Sequence, residues 1–250
     1  MTITSVNPVA KFGAAVVLAL VLLASLDLVT ATVALVAELL LMPLLGLDWR
    51  MFWRRTAAIW IAAPLAGVTT VLYGQDSGRV LLEAWFITVT EGSVDFGLVI
   101  TVRVLAAGLP AVALFVTVDP TDLADGLAQV LRLPARFVLG GLAGLRLVGL
   151  FLDDWRALGL ARRARGVADR GRIRRFVNQS FALLVLSVRR GSKLATAMEA
   201  RGFGSEIERT WARPSPFGRR EWALMAGAAA VAALAVVVSV SVGSWRSVLG

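Results

Sequence analysis

Long apolar runs, repeated along the chain, constrain it more than any other feature. Phe12–Val29, Thr32–Leu47, Thr56–Tyr73, Phe96–Val118 and Trp222–Val242 each contain no more than one charged residue. A helix needs about 20 mostly apolar residues to cross a bilayer core, and these runs approach or reach that length. Hydrophobic residues fill 58% of 250 positions and the mean hydropathy is +0.76. Soluble domains sit nearer half apolar. The expected fold class is therefore all-α: a polytopic membrane protein with about five transmembrane helices. A cleaved signal peptide is the competing reading of the first run. Its apolar core would be unusually long, and a second run follows at once after Ser25-Leu26-Asp27, so the two read as a tight helical hairpin.

Charge sets the expected orientation, because Lys and Arg concentrate on cytoplasmic loops. Arg50, Arg54 and Arg55 form a basic loop with Trp49 and Trp53, while Gly74–Asp95 holds Asp76, Glu83, Glu91 and Asp95 against Arg79 alone. Of the 26 Lys and Arg, 19 lie between Asp119 and Arg220. The N-terminus, 48–55 and 119–220 are thus expected inside, and 74–95 and the C-terminus outside. Within the outer connection, Val80–Val89 is apolar and is expected to lie in the interface or to dip into the membrane. Arg103 falls inside the fourth run, where a charge is costly. It reads as snorkelling or paired within the protein. The segments expected are 1–118 with four spans, a cytoplasmic region 119–220, and a last span in 221–250.

The cytoplasmic region is strongly patterned. A short helix is expected from Pro120 to Leu131, capped by Asp119 or Thr121. Pro134 opens a helix that runs to Arg165. Along it Phe137, Gly141, Gly144, Val148, Phe151, Trp155 and Leu158 recur at steps of four and three, one helical face. A second helix is expected from Arg172 to Arg201, with Val177, Phe181, Leu184, Val188, Gly191, Ala195 and Met198 on one face. Glycine in a helix costs about 1 kcal/mol against alanine, which close approach of another helix offsets. Gly141, Gly144, Gly191 and Ala195 therefore mark an expected helix crossing or partner surface.

Each long helix closes on the same tripeptide. Ala164-Arg165-Gly166 ends the first and Ala200-Arg201-Gly202 the second, with the arginines 36 positions apart. Glycine just past a helix takes the left-handed conformation that ends it, and arginine in the last turn suits the negative end of the helix dipole. Each copy reads as a helix tip with an arginine projecting from it. Taken singly, each is also an ordinary glycine-capped helix.

Several chemistries are excluded. The chain has no Cys and no His, so it lacks disulfides, thiolate metal ligands and the commonest general base. Gly191-Ser-Lys193-Leu departs from the phosphate-loop pattern on both sides of the lysine. Asp122-Leu-Ala-Asp125-Gly126 begins like a CDP-alcohol phosphotransferase motif, but Gln129-Val130 replace its Ala-Arg and the later aspartates are missing. Asp153 and Asp154 are adjacent and point apart on a helix, so Asp153 with Arg156 reads as a surface pair. No catalytic residue, metal site, cofactor or nucleic-acid partner is expected.

These residues resemble the transmembrane T component of energy-coupling factor (ECF) transporters, bacterial importers of vitamins and metal ions. The resemblance rests on the two Ala-Arg-Gly tips, above all Ala197-Met-Glu-Ala-Arg-Gly-Phe-Gly204. It also rests on Asn7-Pro-x-x-Lys11, where the family usually has Asp-Pro, on Leu131-x-Leu-Pro134, and on Arg146. The resemblance implies a multi-pass protein of the bacterial cell membrane, with a pair of long crossing cytoplasmic coupling helices. It implies that Arg165 and Arg201 dock in two ABC-type ATPase subunits, with Ala164, Gly166, Ala200 and Gly202 shaping the tips. It further implies that the helices carry ATPase motion to a separate substrate-binding S component in the bilayer. The chain itself would then be non-catalytic. Two other functions compete: a membrane anchor whose basic helices bind anionic lipid, and a secondary transporter, which would show inverted repeats. The apolar stripes weigh against the first and five spans with one large insert against the second.

Overall fold

The computed structural model describes residues 5–46, 49–74, 77–84, 87–166, 171–205 and 210–245. All five apolar runs form helices: α1 (Pro8–Ala24), α2 (Leu28–Leu41), α3 (Trp49–Tyr73), α4 (Glu91–Phe115) and α8 (Arg219–Ser241). Between α4 and α8 lie α5 (Pro120–Gln129), α6 (Ala135–Ala164) and α7 (Arg172–Ala200). The chain divides into two compact units, one of residues 1–126 with 215–250 and one of residues 127–214.

Local chemistry places the helix starts in the first unit. Asn7 accepts the Val9 N–H at 3.0 Å ahead of Pro8, whose missing N–H costs nothing at a helix start. Asp27 accepts the Thr30 N–H at 2.7 Å and opens α2 only three residues after α1 ends. Thr90 and Ser93 cap α4 reciprocally. Glu221 takes the Gly218 N–H at 2.8 Å at the head of α8. Small residues dominate the packed interior: Ala14, Ala228 and Ala232 with Leu18 and Val231, then Ala31, Ala34, Ala106 and Ala235 with Leu22. Helices in lipid associate through close packing rather than apolar burial, which favours such residues.

The N-terminal segment ties this unit together. Asn7 Nδ2 donates to Ser215 Oγ at 2.8 Å and to the Pro216 carbonyl at 3.0 Å. Lys11, fully buried, donates to Thr117 Oγ1 at 2.9 Å and to the Thr117 carbonyl at 3.3 Å just beyond α4. The Asn7-Pro-x-x-Lys11 stretch is thus a structural clamp.

Two features go beyond the expectation. The apolar stretch around 80–89 is a strand pair: β1 (Val80–Ala84) and β2 (Ile87–Thr90) form an antiparallel hairpin, with Glu83 opposite Thr88 and an irregularity between Val80 and Leu82. Ten residues are too few for a span, and the β-branched Ile-Thr-Val-Thr run favours strand. Secondly, four helices among the described residues are long and apolar enough to cross a membrane: α3, α4, α8 and also α6, which the charge pattern assigns to the cytoplasm. The first two apolar helices are shorter, at 17 and 14 residues, and α2 continues into a 3-10 turn at Met42–Leu45.

Candidate functional site

In the unit of residues 127–214, α6 and α7 begin and end within one residue of where proline and glycine mark them. Asp119 caps the preceding α5 through the Thr121 N–H at 2.7 Å. Leu133 N–H returns to the Leu127 carbonyl at 3.1 Å, and Pro134 stands ahead of α6.

The two tips share one backbone design. Arg165 ends α6 with φ −87° and ψ 3°, and Arg201 ends α7 with φ −93° and ψ 13°. Gly166 and Gly202 follow with φ +67° and +79°, a conformation in which a Cβ is strained. Gly166 N–H bonds the Arg163 carbonyl at 2.9 Å, and Gly202 N–H bonds the Glu199 carbonyl at the same length. At the second tip Phe203 N–H also reaches the Met198 carbonyl at 2.9 Å, completing the double hydrogen bond of a Schellman cap. The residues after Gly166, 167–170, lie outside those described. Arg165, Arg201, Ala164, Gly166, Ala200 and Gly202 are all exposed, and neither tip arginine forms an ion pair among the described residues. A cap so closed leaves the arginine side chain as the group that the helix end presents.

The helices meet at Trp155, near the end of the α6 stripe, and at Phe176 and Gln179, which lie outside the α7 stripe. Gln179, 2% exposed, donates its amide to the Trp155 carbonyl. The Trp155 and Phe176 rings lie 5.6 Å apart. Gly159 is buried beside them, and a Cβ there would lie 3.6 Å from Gln179 and 3.8 Å from Arg175. Arg190 pairs with Asp154. Asp153 pairs with Arg156 on the surface at 3.5 Å. A Cβ at Gly141, Gly144 or Gly191, by contrast, would meet no other part of the chain within 4 Å among the described residues, and Ala195 is exposed. The α6–α7 contact therefore runs through Gly159 and Gln179, and those four positions lie off it. Much of each predicted face stays uncovered among the described residues: Phe137, Val148, Val177, Phe181, Leu184 and Val188 are all more than half exposed, while Phe151, Trp155 and Leu158 are partly buried. Nothing in the sequence singles out Gln179, which stands in the polar run Asn178-Gln179-Ser180.

Comparison with known proteins finds relatives along most of the chain. The family model described as cobalt transport protein, CbiQ, matches residues 4–211. The chain is 28% identical over 211 residues to the energy-coupling factor transporter transmembrane protein EcfT of Limosilactobacillus fermentum, covering 77% of this chain and 73% of that protein. It is 26% identical over 222 residues to the protein of that name from Streptococcus equi subsp. equi, covering 82% and 80%. To its counterpart in Bacillus selenitireducens it is 28% identical over 167 residues, 62% of either chain.

Proposed function

Because the chain belongs to the CbiQ family of cobalt transport proteins, and its relatives carry the name of the ECF transporter transmembrane protein, we propose that it is the coupling subunit of an ECF-type importer. In this role it performs no catalysis. Arg165 and Arg201 enter separate grooves on two ABC-type ATPase subunits, and α6 and α7 carry the ATPase movement to a substrate-binding membrane subunit. That subunit selects the vitamin or metal ion. The long cytoplasmic region lies on the inner side of the membrane with the N-terminus.

The observation that carries this reading is the matched pair of closed helix ends, each presenting one exposed arginine that forms no ion pair among the described residues. A guanidinium keeps its charge at any working pH and offers a planar fork of donors to carboxylates or carbonyls. Rigid helices tipped in this way can pass on a rigid-body motion. The uncovered apolar faces, with Gly141, Gly144, Gly191 and Ala195 among them, supply a surface for the membrane partner. The test is copurification: the full chain, coexpressed with ABC-type ATPase subunits of an ECF transporter, should retain two of them. Retention undiminished when both tips are replaced by alanine would refute the assignment.

A further inference from the structure

The head of α3 is basic where a helix disfavours it. Arg50, Arg54 and Arg55 stand in its first two turns, and the helix from Trp49 to Tyr73 contains no acidic residue. Cations at a helix N-terminus oppose the macrodipole, whose positive end lies there. All three arginines are exposed, so an anion from outside the chain can reach them.

Two of these arginines continue an apolar stripe. Ile61, Leu65 and Val68 are all more than half exposed. Arg54 precedes Ile61 by two turns, and Arg50 precedes Arg54 by one, so all five share one side of the helix. The buried face repeats that spacing two residues later, at Phe52, Thr56, Ala63 and Gly67. Gly67 meets Gly97 of α4, so the stripe faces away from the packed unit. Arg55 lies about 120° round the helix from Ile61, off the stripe. Because α3 is long and apolar enough to cross a membrane, lipid chains are what such a stripe meets. The rings of Trp53 and Tyr73, both exposed, mark its two boundaries. They stand 20 residues apart, about 30 Å at 1.5 Å per residue, which is the thickness of the hydrocarbon core. Aromatic rings gather at those boundaries. Arg50 then lies just beyond the core, and Arg54 reaches the headgroups along its own methylenes.

We propose that this side of α3 binds an anionic phospholipid of the leaflet in which the helix begins. The phosphate lies between the guanidinium groups of Arg50 and Arg54, and one acyl chain runs along Ile61, Leu65 and Val68. Trp53 flanks the chain at the depth of the glycerol; its own ring is held by Trp49 and Trp60, at 5.6 and 5.3 Å. A guanidinium meets a phosphate through two parallel N–H···O bonds. A head with net negative charge is preferred over a choline head, which brings a cation of its own to two arginines. Neither the ATPase contacts nor the direction in which α3 crosses enters this argument.

Native mass spectrometry of the purified full chain tests this with phosphatidylglycerol and phosphatidylcholine of identical acyl chains. An arginine at a charged membrane surface contributes about fivefold, so phosphatidylglycerol should be retained over phosphatidylcholine by about twentyfold. Arg50→Gln and Arg54→Gln should each lower that ratio about fivefold, and Arg55→Gln by about twofold or less. A second measurement leaves the arginines in place. The chain has no cysteine, so Ile61→Cys can carry a single bimane, which doxyl-labelled phosphatidylglycerol should quench more than doxyl-labelled phosphatidylcholine at equal mole fraction. Equal retention of the two lipids by the wild-type chain overturns the proposal, and needs no variant to fold. Equal losses at all three arginines overturn it too, since total charge would then attract lipid without a site. So does equal quenching at position 61, or displacement of the retained lipid by excess inorganic phosphate, which would mark a site for free anions.

Discussion

Gly67 on α3 and Gly97 on α4 meet backbone to backbone: a methyl on Gly67 would lie 2.7 Å from the Gly97 carbonyl oxygen, and one on Gly97 2.9 Å from that of Gly67. Thr101 closes the same contact by donating its hydroxyl to the Gly97 carbonyl at 2.8 Å. The added methyls would also press on the Thr101 and Val71 side chains; even if those turned away the carbonyl contacts would remain, so the helices themselves must separate. Gly67→Ala and Gly97→Ala should each destabilise the first unit by about 1–3 kcal/mol, the usual range for overpacking. Thermal melts of the purified chain would show it, with Gly227→Ala as the control, since a Cβ there would meet no other part of the chain within 4 Å among the described residues. The double variant should cost less than the sum, because one displacement relieves both clashes. Melting unchanged in both single variants would mean that α3 and α4 do not cross here.

How much of this was legible in the sequence depends on what kind of physics each feature obeys. The bounds of α6 and α7 were readable because Pro134, Gly166, Gly171 and Gly202 act locally, through fixed or left-handed φ. The projecting arginines were readable for the same reason. Where α6 and α7 touch was not, because it depends on a buried amide, Gln179, finding a carbonyl on another helix. The stripes pointed instead to Gly141, Gly144 and Gly191, which this chain leaves open. The Gly67–Gly97 contact was hidden likewise: a glycine within an apolar run carries no mark of what it faces. The hairpin was missed because Val80-Leu-Leu suits either helix or strand, and no glycine or proline stands between its strands to signal a turn.

Gly141 and Gly144 separate two roles for the open face. A Cβ at either would meet no other part of the chain within 4 Å among the described residues, so alanine there should stabilise the isolated chain by about 0.5–1 kcal/mol through helix propensity. If the face is a partner surface that needs close approach, leucine at either position should lower uptake and partner retention while the chain alone still melts normally. Uptake unchanged in both leucine variants would show that these glycines face lipid or solvent.

The cysteine-free sequence makes orientation directly measurable. Ser77 and Ser205 are both exposed, one before the hairpin and one after the second tip. Ser77→Cys in intact cells should react with a membrane-impermeant maleimide, and Ser205→Cys only after the membrane is opened. Reaction of both from one side would contradict an odd number of crossings between them.

The tip arginines give the sharpest test of coupling. Arg165 and Arg201 end their helices in the same backbone conformation, each followed by a left-handed glycine. Removing one side of a desolvated charged contact costs about 2–5 kcal/mol, so Arg165→Ala or Arg201→Ala should each reduce ATPase copurification and substrate uptake strongly. The double variant should do worse than either, because two separate grooves lose their occupant. Lysine should restore only part, since a point charge lacks the planar fork. Gly166→Ala and Gly202→Ala should be harmful as well, by straining the left-handed residue that closes each tip. Arg162 and Arg172 are the controls: the first lies a turn inside α6 and the second opens α7, so alanine at either should matter less. A basic region that merely binds anionic lipid responds to total charge, which predicts a different pattern. All four arginines would then count about equally, and lysine would substitute freely. Measuring copurification and uptake for alanine and lysine at 162, 165, 172 and 201 decides between them, and equal losses with full rescue by lysine would rule out the docking role.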